Sequence, residues 1–170
     1  MTSVPHPPQL WRRLSNERKA AAVEAFWTDE HAFVEQAEAM AAIAQRIKFR
    51  LKSVQAMPLA NKVRQLLAMP AVSEVIVARL LVSYHLVNQR AMMGSFLDAL
   101  GIAHEDGLIT DEALAAPPAD RLNAAVGKLT AAYPADDVVL YLSTLLWQDP
   151  ETWAGLADLP QLREPAPASS

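Results

Sequence analysis

The stretch VSEVIVARLLVSYHLVNQR, Val72–Arg90, decides the fold class. Wound as a helix at about 100° per residue, it places Glu74, His85 and Asn88 on one narrow stripe and Arg79, Ser83 and Arg90 on the opposite one. Both flanks between these stripes are apolar, and a helix apolar on two sides belongs inside a bundle rather than on its surface. The Val and Ile content would also suit a buried strand. Nineteen residues without a turn residue is long for a strand, however, and only Val138–Leu142 offers a partner. The expectation is therefore an all-α fold. It is a single-domain irregular or orthogonal bundle of about seven helices with a buried central helix near 72–90.

Upstream of that stretch, the Ser15 hydroxyl is placed to cap a helix over Asn16–Trp27. Asp29 and Glu30 sit where a second helix would begin, favourably for its dipole. In this second helix Phe33, Ala37, Met40, Ala41, Ala44 and Ile47 recur with helical spacing and predict its buried stripe. Pro58 opens a third helix that runs to about Met69, and Pro70 ends it. Downstream, Met92–Leu100 reads as a helix closed by Gly101 in a left-handed cap, with Ile102 behind it. Ala103–Pro118 reads as turn and loop with one helical turn after Thr110, followed by helices over Asp120–Tyr133 and Pro134–Gln148 and a short one around Trp153. Residues 10–162 form the predicted helical domain, and the proline-rich ends, 1–9 and 163–170, are predicted to be disordered tails.

Composition narrows the function classes. The chain has 170 residues, 52% of them hydrophobic, which is enough to bury roughly 70% of the unfolded surface. The absence of cysteine excludes disulfides, thiolate metal sites and a cysteine nucleophile. The first residues have no apolar run flanked by positive charge, so no secretion signal is expected and the cytoplasm is the default location. Val75–Val87 contains Arg79, Ser83 and His85 and is too short and polar for a membrane span. A net charge of −4 argues against nucleic-acid binding over most of the surface.

The familiar chemical motifs fail at named positions. The loop His104–Leu114, HEDGLITDEAL, resembles the second half of an EF-hand calcium loop around Asp106, Gly107, Ile109 and Thr110. Its first, third and twelfth positions fall on Ile102, His104 and Ala113, so the first ligand and the bidentate carboxylate are missing. A plain glycine turn is the better reading. Val72–Leu81 has the rhythm of a DNA-recognition helix, but such a helix needs polar side chains for the groove and this one is nearly all apolar. His31, Glu35 and Glu38 share a helix face without the spacing of a zinc protease or a di-iron site. No nucleophile elbow, phosphate loop or dinucleotide fingerprint is present. No catalytic residue, cofactor or metal is expected.

Charge distribution is the strongest signal. Between Glu38 and Glu74 there is no acid, while Arg46, Lys48, Arg50, Lys52, Lys62 and Arg64 contribute six positive charges. From Ala91 to Asp120 the balance inverts, with six acids and no base, and five more acids follow between Leu129 and Leu162. Within RIKFRLK, Arg46–Lys52, polar and apolar residues alternate strictly. An extended backbone would place four cations on one face and Ile47, Phe49 and Leu51 on the other. A continued helix would instead set Arg46 and Arg50 on one face and Lys48 and Lys52 on another, near the negative end of the dipole.

The sequence thus points to a non-catalytic intracellular helical interaction or adaptor protein, self-associating through the basic segment 46–64 and the acidic C-terminal half. Another protein or a second copy is the expected partner, nucleic acid is a weaker alternative, and no membrane is involved. A small-ligand or enzymatic domain is the other alternative. It would have a pocket along the central helix lined by Arg79, Tyr84, His85 and Trp147.

Overall fold

Ser73 starts the decisive helix. Its hydroxyl accepts the Ile76 N–H at 3.3 Å and its carbonyl accepts the Val77 N–H at 3.0 Å, so two amides at the helix start find partners. In the computed structural model, which describes residues 5–111 and 113–163, this helix (α6) runs Glu74–Asn88. Ile76, Val77, Ala78, Leu80, Leu81, Ser83, Tyr84 and His85 are all buried. Of the two polar stripes expected along the helix, Glu74 and Asn88 at its ends are exposed, whereas the positions between them turn inward. Arg79 is half-buried and His85 is buried, and each makes a hydrogen bond inside the fold. The helix stops at Asn88; Gln89 breaks it and Arg90 opens the next.

The all-α expectation holds, and the remaining elements follow in chain order. They are α1 (Pro7–Arg13), α2 (Asn16–Thr28), α3 (Phe33–Ile47), α4 (Leu51–Gln55) and α5 (Leu59–Leu67) before α6, then α7 (Arg90–Leu100), α8 (Ala119–Ala132) and α9 (Ala135–Gln148). A 3-10 turn, Ala154–Asp158, and α10 (Pro160–Arg163) close the described chain. Two compact units are formed, one from residues 11–87 and one from residues 88–170 with residues 1–10. Among the described residues no helix is long and apolar enough to cross a membrane.

In the unit of residues 11–87, Val23 and Phe26 of α2, Ala39, Ile43 and Ala44 of α3, Val54 of α4, Leu66 of α5, and Ile76 and Leu80 of α6 form one buried cluster with Ala32. The predicted stripe on α3 is corrected here. Met40, Ala44 and Ile47 do face the core, but Phe33, Ala37 and Ala41 are exposed, and Ala39 and Ile43 are buried in their place. With alanine at so many positions, two neighbouring stripes have nearly equal apolarity, and burying Ile43 rather than another methyl favours the rotated one.

In the unit of residues 88–170, Phe96 of α7 lies edge-on to Tyr141 of α9, with ring centroids 5.7 Å apart, and against Trp153 at 5.9 Å. Met92, Leu97, Leu122, Leu142, Leu156 and Leu162 complete this core as fully buried side chains. Gly101 caps α7 in the left-handed conformation as predicted, and the Ile102 N–H reaches back to the Leu97 carbonyl at 2.9 Å.

Two expectations from the chain's periphery change. Residues 7–9 of the predicted disordered tail belong to α1, where Pro7 takes the first turn and is buried with Leu10; proline's missing N–H costs nothing in a first helical turn. Residues 1–4 and 164–170, also expected in the tails, lie outside the described residues. The loop after α7 holds no helical turn among its described residues but a two-stranded antiparallel hairpin, β1 (His104–Glu105) and β2 (Leu108–Ile109). Asp106 (φ 53°) and Gly107 (φ 92°) form its turn. Positive φ at both central positions is the geometry that matches the right-handed twist of hairpin strands, and Asp-Gly is its usual sequence. A side chain at position 107 would also collide with the Met93 Cβ at 2.9 Å.

Candidate functional site

The basic segment is built by the end of α3. The Ala44 carbonyl accepts both the Lys48 N–H and the Phe49 N–H, the latter at 3.0 Å, and Lys48 takes the left-handed conformation at φ 58°. This is the reversal that glycine usually makes at a helix C-terminus. A side chain there costs on the order of 1 kcal/mol. Arg50, extended at φ −72° and ψ 146°, then opens α4, and fully buried Val54 ties α4 to the core. RIKFRLK is therefore neither the extended ribbon nor the continued helix. It is two helix ends joined by a left-handed residue.

Arg46, Lys48, Arg50 and Lys52 are all exposed. None of their side chains takes part in an ion pair or hydrogen bond among the described residues. Phe49 and Leu51 stand between them, 53% and 45% exposed. Lys62 and Arg64, counted with this group in the sequence, are used otherwise. The Lys62 ammonium lies over the Trp27 ring, 5.8 Å from its centroid, and the Arg64 guanidinium donates to the Asn61 side-chain carbonyl at 3.0 Å. The free cationic set narrows to residues 46–52.

Charge segregation follows the division into units. Residues 11–87 contain eleven Lys and Arg against seven Asp and Glu, a formal charge of +4; the remaining residues contain four against twelve, a formal charge of −8.

Arg79, Tyr84 and His85, three of the residues expected to line a pocket along the central helix, make hydrogen bonds or ring contacts inside the unit of residues 11–87. Arg79 donates to Asp29 Oδ2 at 2.8 Å, and the Ser83 hydroxyl, one turn along α6, donates to the same oxygen at 2.7 Å. The His31 N–H donates to Asp29 Oδ1 at 2.9 Å. Burial of Asp29 would by itself raise its pKa, but the His31 amide, the Ser83 hydroxyl and the Arg79 guanidinium together hold it below the usual carboxylate value. Gln36 completes the arrangement, its amide donating to the Phe26 and Asp29 carbonyls at the end of α2. This is a structural clamp between α2, α3 and α6, with every Asp29 side-chain oxygen occupied. Tyr84 and His85 pack edge to face at 5.4 Å, both buried. Burial drives the His85 pKa down to about 4, while its bond to the Leu81 carbonyl at 2.7 Å opposes the shift. It is a neutral core histidine at neutral pH. Trp147 belongs to the other unit, half-buried on α9.

A cleft lies within residues 88–170. It encloses about 280 Å³ and is lined by Ile109, Asp111, Leu114, Leu145, Gln148, Asp149, Thr152 and Trp153. Four of its lining residues are apolar and four are polar or acidic. Asp111 Oδ1 accepts the Ala113 N–H at 2.9 Å and Asp149 Oδ1 accepts the Thr152 N–H at 3.3 Å. The bonds from Thr152 hold the Asp149 pKa low, so this carboxylate stays charged. Among the described residues no group of three or more His, Asp or Glu is placed to hold a metal ion.

Neither Asp29 as the partner of Arg79 and Ser83 nor the cleft is legible in the sequence. Arg79 and Ser83 share a helix face at i and i+4, which signals a common polar partner but does not name one. The hairpin that supplies Ile109 to the cleft was signalled by Asp106-Gly107. Comparison with known proteins finds no matching family model, no similar curated protein and no similar solved structure.

Proposed function

We propose that this chain is a non-catalytic interaction protein whose 46–52 segment docks on an acidic protein surface, either of a second copy or of a separate partner. The observation that carries this reading is the set of four exposed cations, Arg46, Lys48, Arg50 and Lys52, with no ion pair among the described residues. Like charges crowded on seven residues repel one another until an anionic surface neutralises them. Phe49 and Leu51, half-exposed among them, add apolar area that water would leave on docking. Lys48 holds a strained backbone at the centre of the segment, a feature typical of recognition sites. The formal charge of −8 on the other unit disfavours a polyanion such as nucleic acid and favours a protein partner.

Sedimentation velocity in low and high salt, on the wild type and on Arg46→Glu/Arg50→Glu, tests the reading. Association that salt weakens and the double variant abolishes is the expected result. A chain that stays monomeric at every salt concentration and retains no acidic protein through this segment would refute it.

A further inference from the structure

The cleft within residues 88–170 has the chemistry to receive the basic segment. It is lined by the apolar side chains of Ile109, Leu114, Leu145 and Trp153 and by the carboxylates of Asp111 and Asp149. Asp111 Oδ1 accepts one bond from the backbone of its own loop, and Asp149 is held by Thr152 and Glu151, so both carboxylates are fixed at the cleft. No Lys or Arg lines the cleft. A cleft that combines two carboxylates with apolar side chains suits a cation carried on an apolar stem, because the stem can be buried while the charge meets the carboxylates. RIKFRLK presents that combination, with arginines and lysines alternating with Phe49 and Leu51.

The cations of residues 46–52 are exposed and make no ion pair among the described residues, so they are available to the cleft of a second copy, whose aspartates offer the complementary charge. We infer that the cleft lined by Asp111, Asp149 and Trp153 is the docking site for the Arg46–Lys52 segment of a second copy of this chain. This rests on the functional reading above and narrows it to one occupant and one receptor. Arg46 or Arg50 takes the Asp111 and Asp149 carboxylates, where a guanidinium fork matches a carboxylate in a way that an ammonium does not.

The test is sedimentation equilibrium of the full chain at low salt with four proteins: wild type, Arg46→Glu/Arg50→Glu, Asp111→Asn/Asp149→Asn, and the control Asp120→Asn/Asp136→Asn. Asparagine keeps the oxygen that caps each loop, and all four aspartates are exposed, so folding is preserved; circular dichroism checks this. The control makes the same change in net charge at the starts of α8 and α9, away from the cleft. The expected result is self-association in the wild type, about tenfold weaker in the cleft variant and within about twofold of wild type in the control. Mixing the Arg46→Glu/Arg50→Glu and Asp111→Asn/Asp149→Asn proteins should restore a heteromeric complex, because each supplies the element that the other lacks. Equal weakening by the cleft and control variants would overturn the cleft as receptor and leave the functional reading standing. A wild type that remains monomeric would overturn the second copy as occupant, and the functional reading then stands or falls on whether Arg46→Glu/Arg50→Glu loses a separate acidic partner.

Discussion

His85 gives the chain a pH dependence that can be worked out from its environment. The ring is buried, its Nδ1–H bonded to the Leu81 carbonyl, and its pKa is about 4 instead of 6.5. In the unfolded chain the imidazole recovers the ordinary value. Above pH 6.5 neither state holds the proton, and stability is fully present. Between pH 6.5 and 4 the unfolded chain binds a proton that the folded chain refuses, so stability falls as pH falls. The shift of about 2.5 units corresponds to about 3 kcal/mol in full, of which about 2 kcal/mol is lost by pH 5. Urea unfolding of the wild type and His85→Leu from pH 8 to pH 5 measures it. Other groups titrate alike in both proteins, so the wild type should lose about 2 kcal/mol more than the variant across that range, whatever the variant's absolute stability. A constant difference between the two proteins, or a His85 C2–H resonance that titrates near 6.5, would refute the assignment.

Three further outcomes follow from the packing. Replacing Asp29 with Ala leaves Arg79 and Ser83 half-buried or buried without their acceptor, and should cost about 3 kcal/mol in chemical unfolding, whereas Ser83→Ala, which leaves the ion pair, should cost about 1 kcal/mol. Gly107→Ala forces a side chain into positive φ and against Met93, so thermal unfolding should show a loss of about 2 kcal/mol. Lys48→Gly relieves the left-handed strain at the end of α3 and should raise stability by up to about 1 kcal/mol while weakening self-association through the lost charge; a destabilised Lys48→Gly would show that the lysine stem packs more than its exposure implies.

Much of the architecture could be read in the chain because it depends on local chemistry. Ser15 caps α2 by accepting the Arg18 N–H at 3.2 Å, Pro58 stands immediately before α5, and Gly101 closes α7. Each of these is settled by the backbone preferences of one residue and its near neighbours. The rotation of α3 was not legible, since an alanine-rich helix has several apolar faces and the neighbours choose among them. The hairpin at Asp106-Gly107 is legible in that dipeptide, although the same glycine also fits the sharp turn of a calcium loop.

The candidate site divides along the same line. The sequence by itself determined that cations are concentrated at residues 46–64 and acids downstream, because formal charge is a property of composition alone. Only the tertiary structure decided which cations are available. Lys62 lies over Trp27 and Arg79 is held by Asp29, whereas Arg46, Lys48, Arg50 and Lys52 remain exposed on the turn between α3 and α4. The physical reason is that pairing depends on distances between residues far apart in the chain. Asp29 and Arg79 lie 50 positions apart and meet at 2.8 Å, and no local pattern encodes such a meeting.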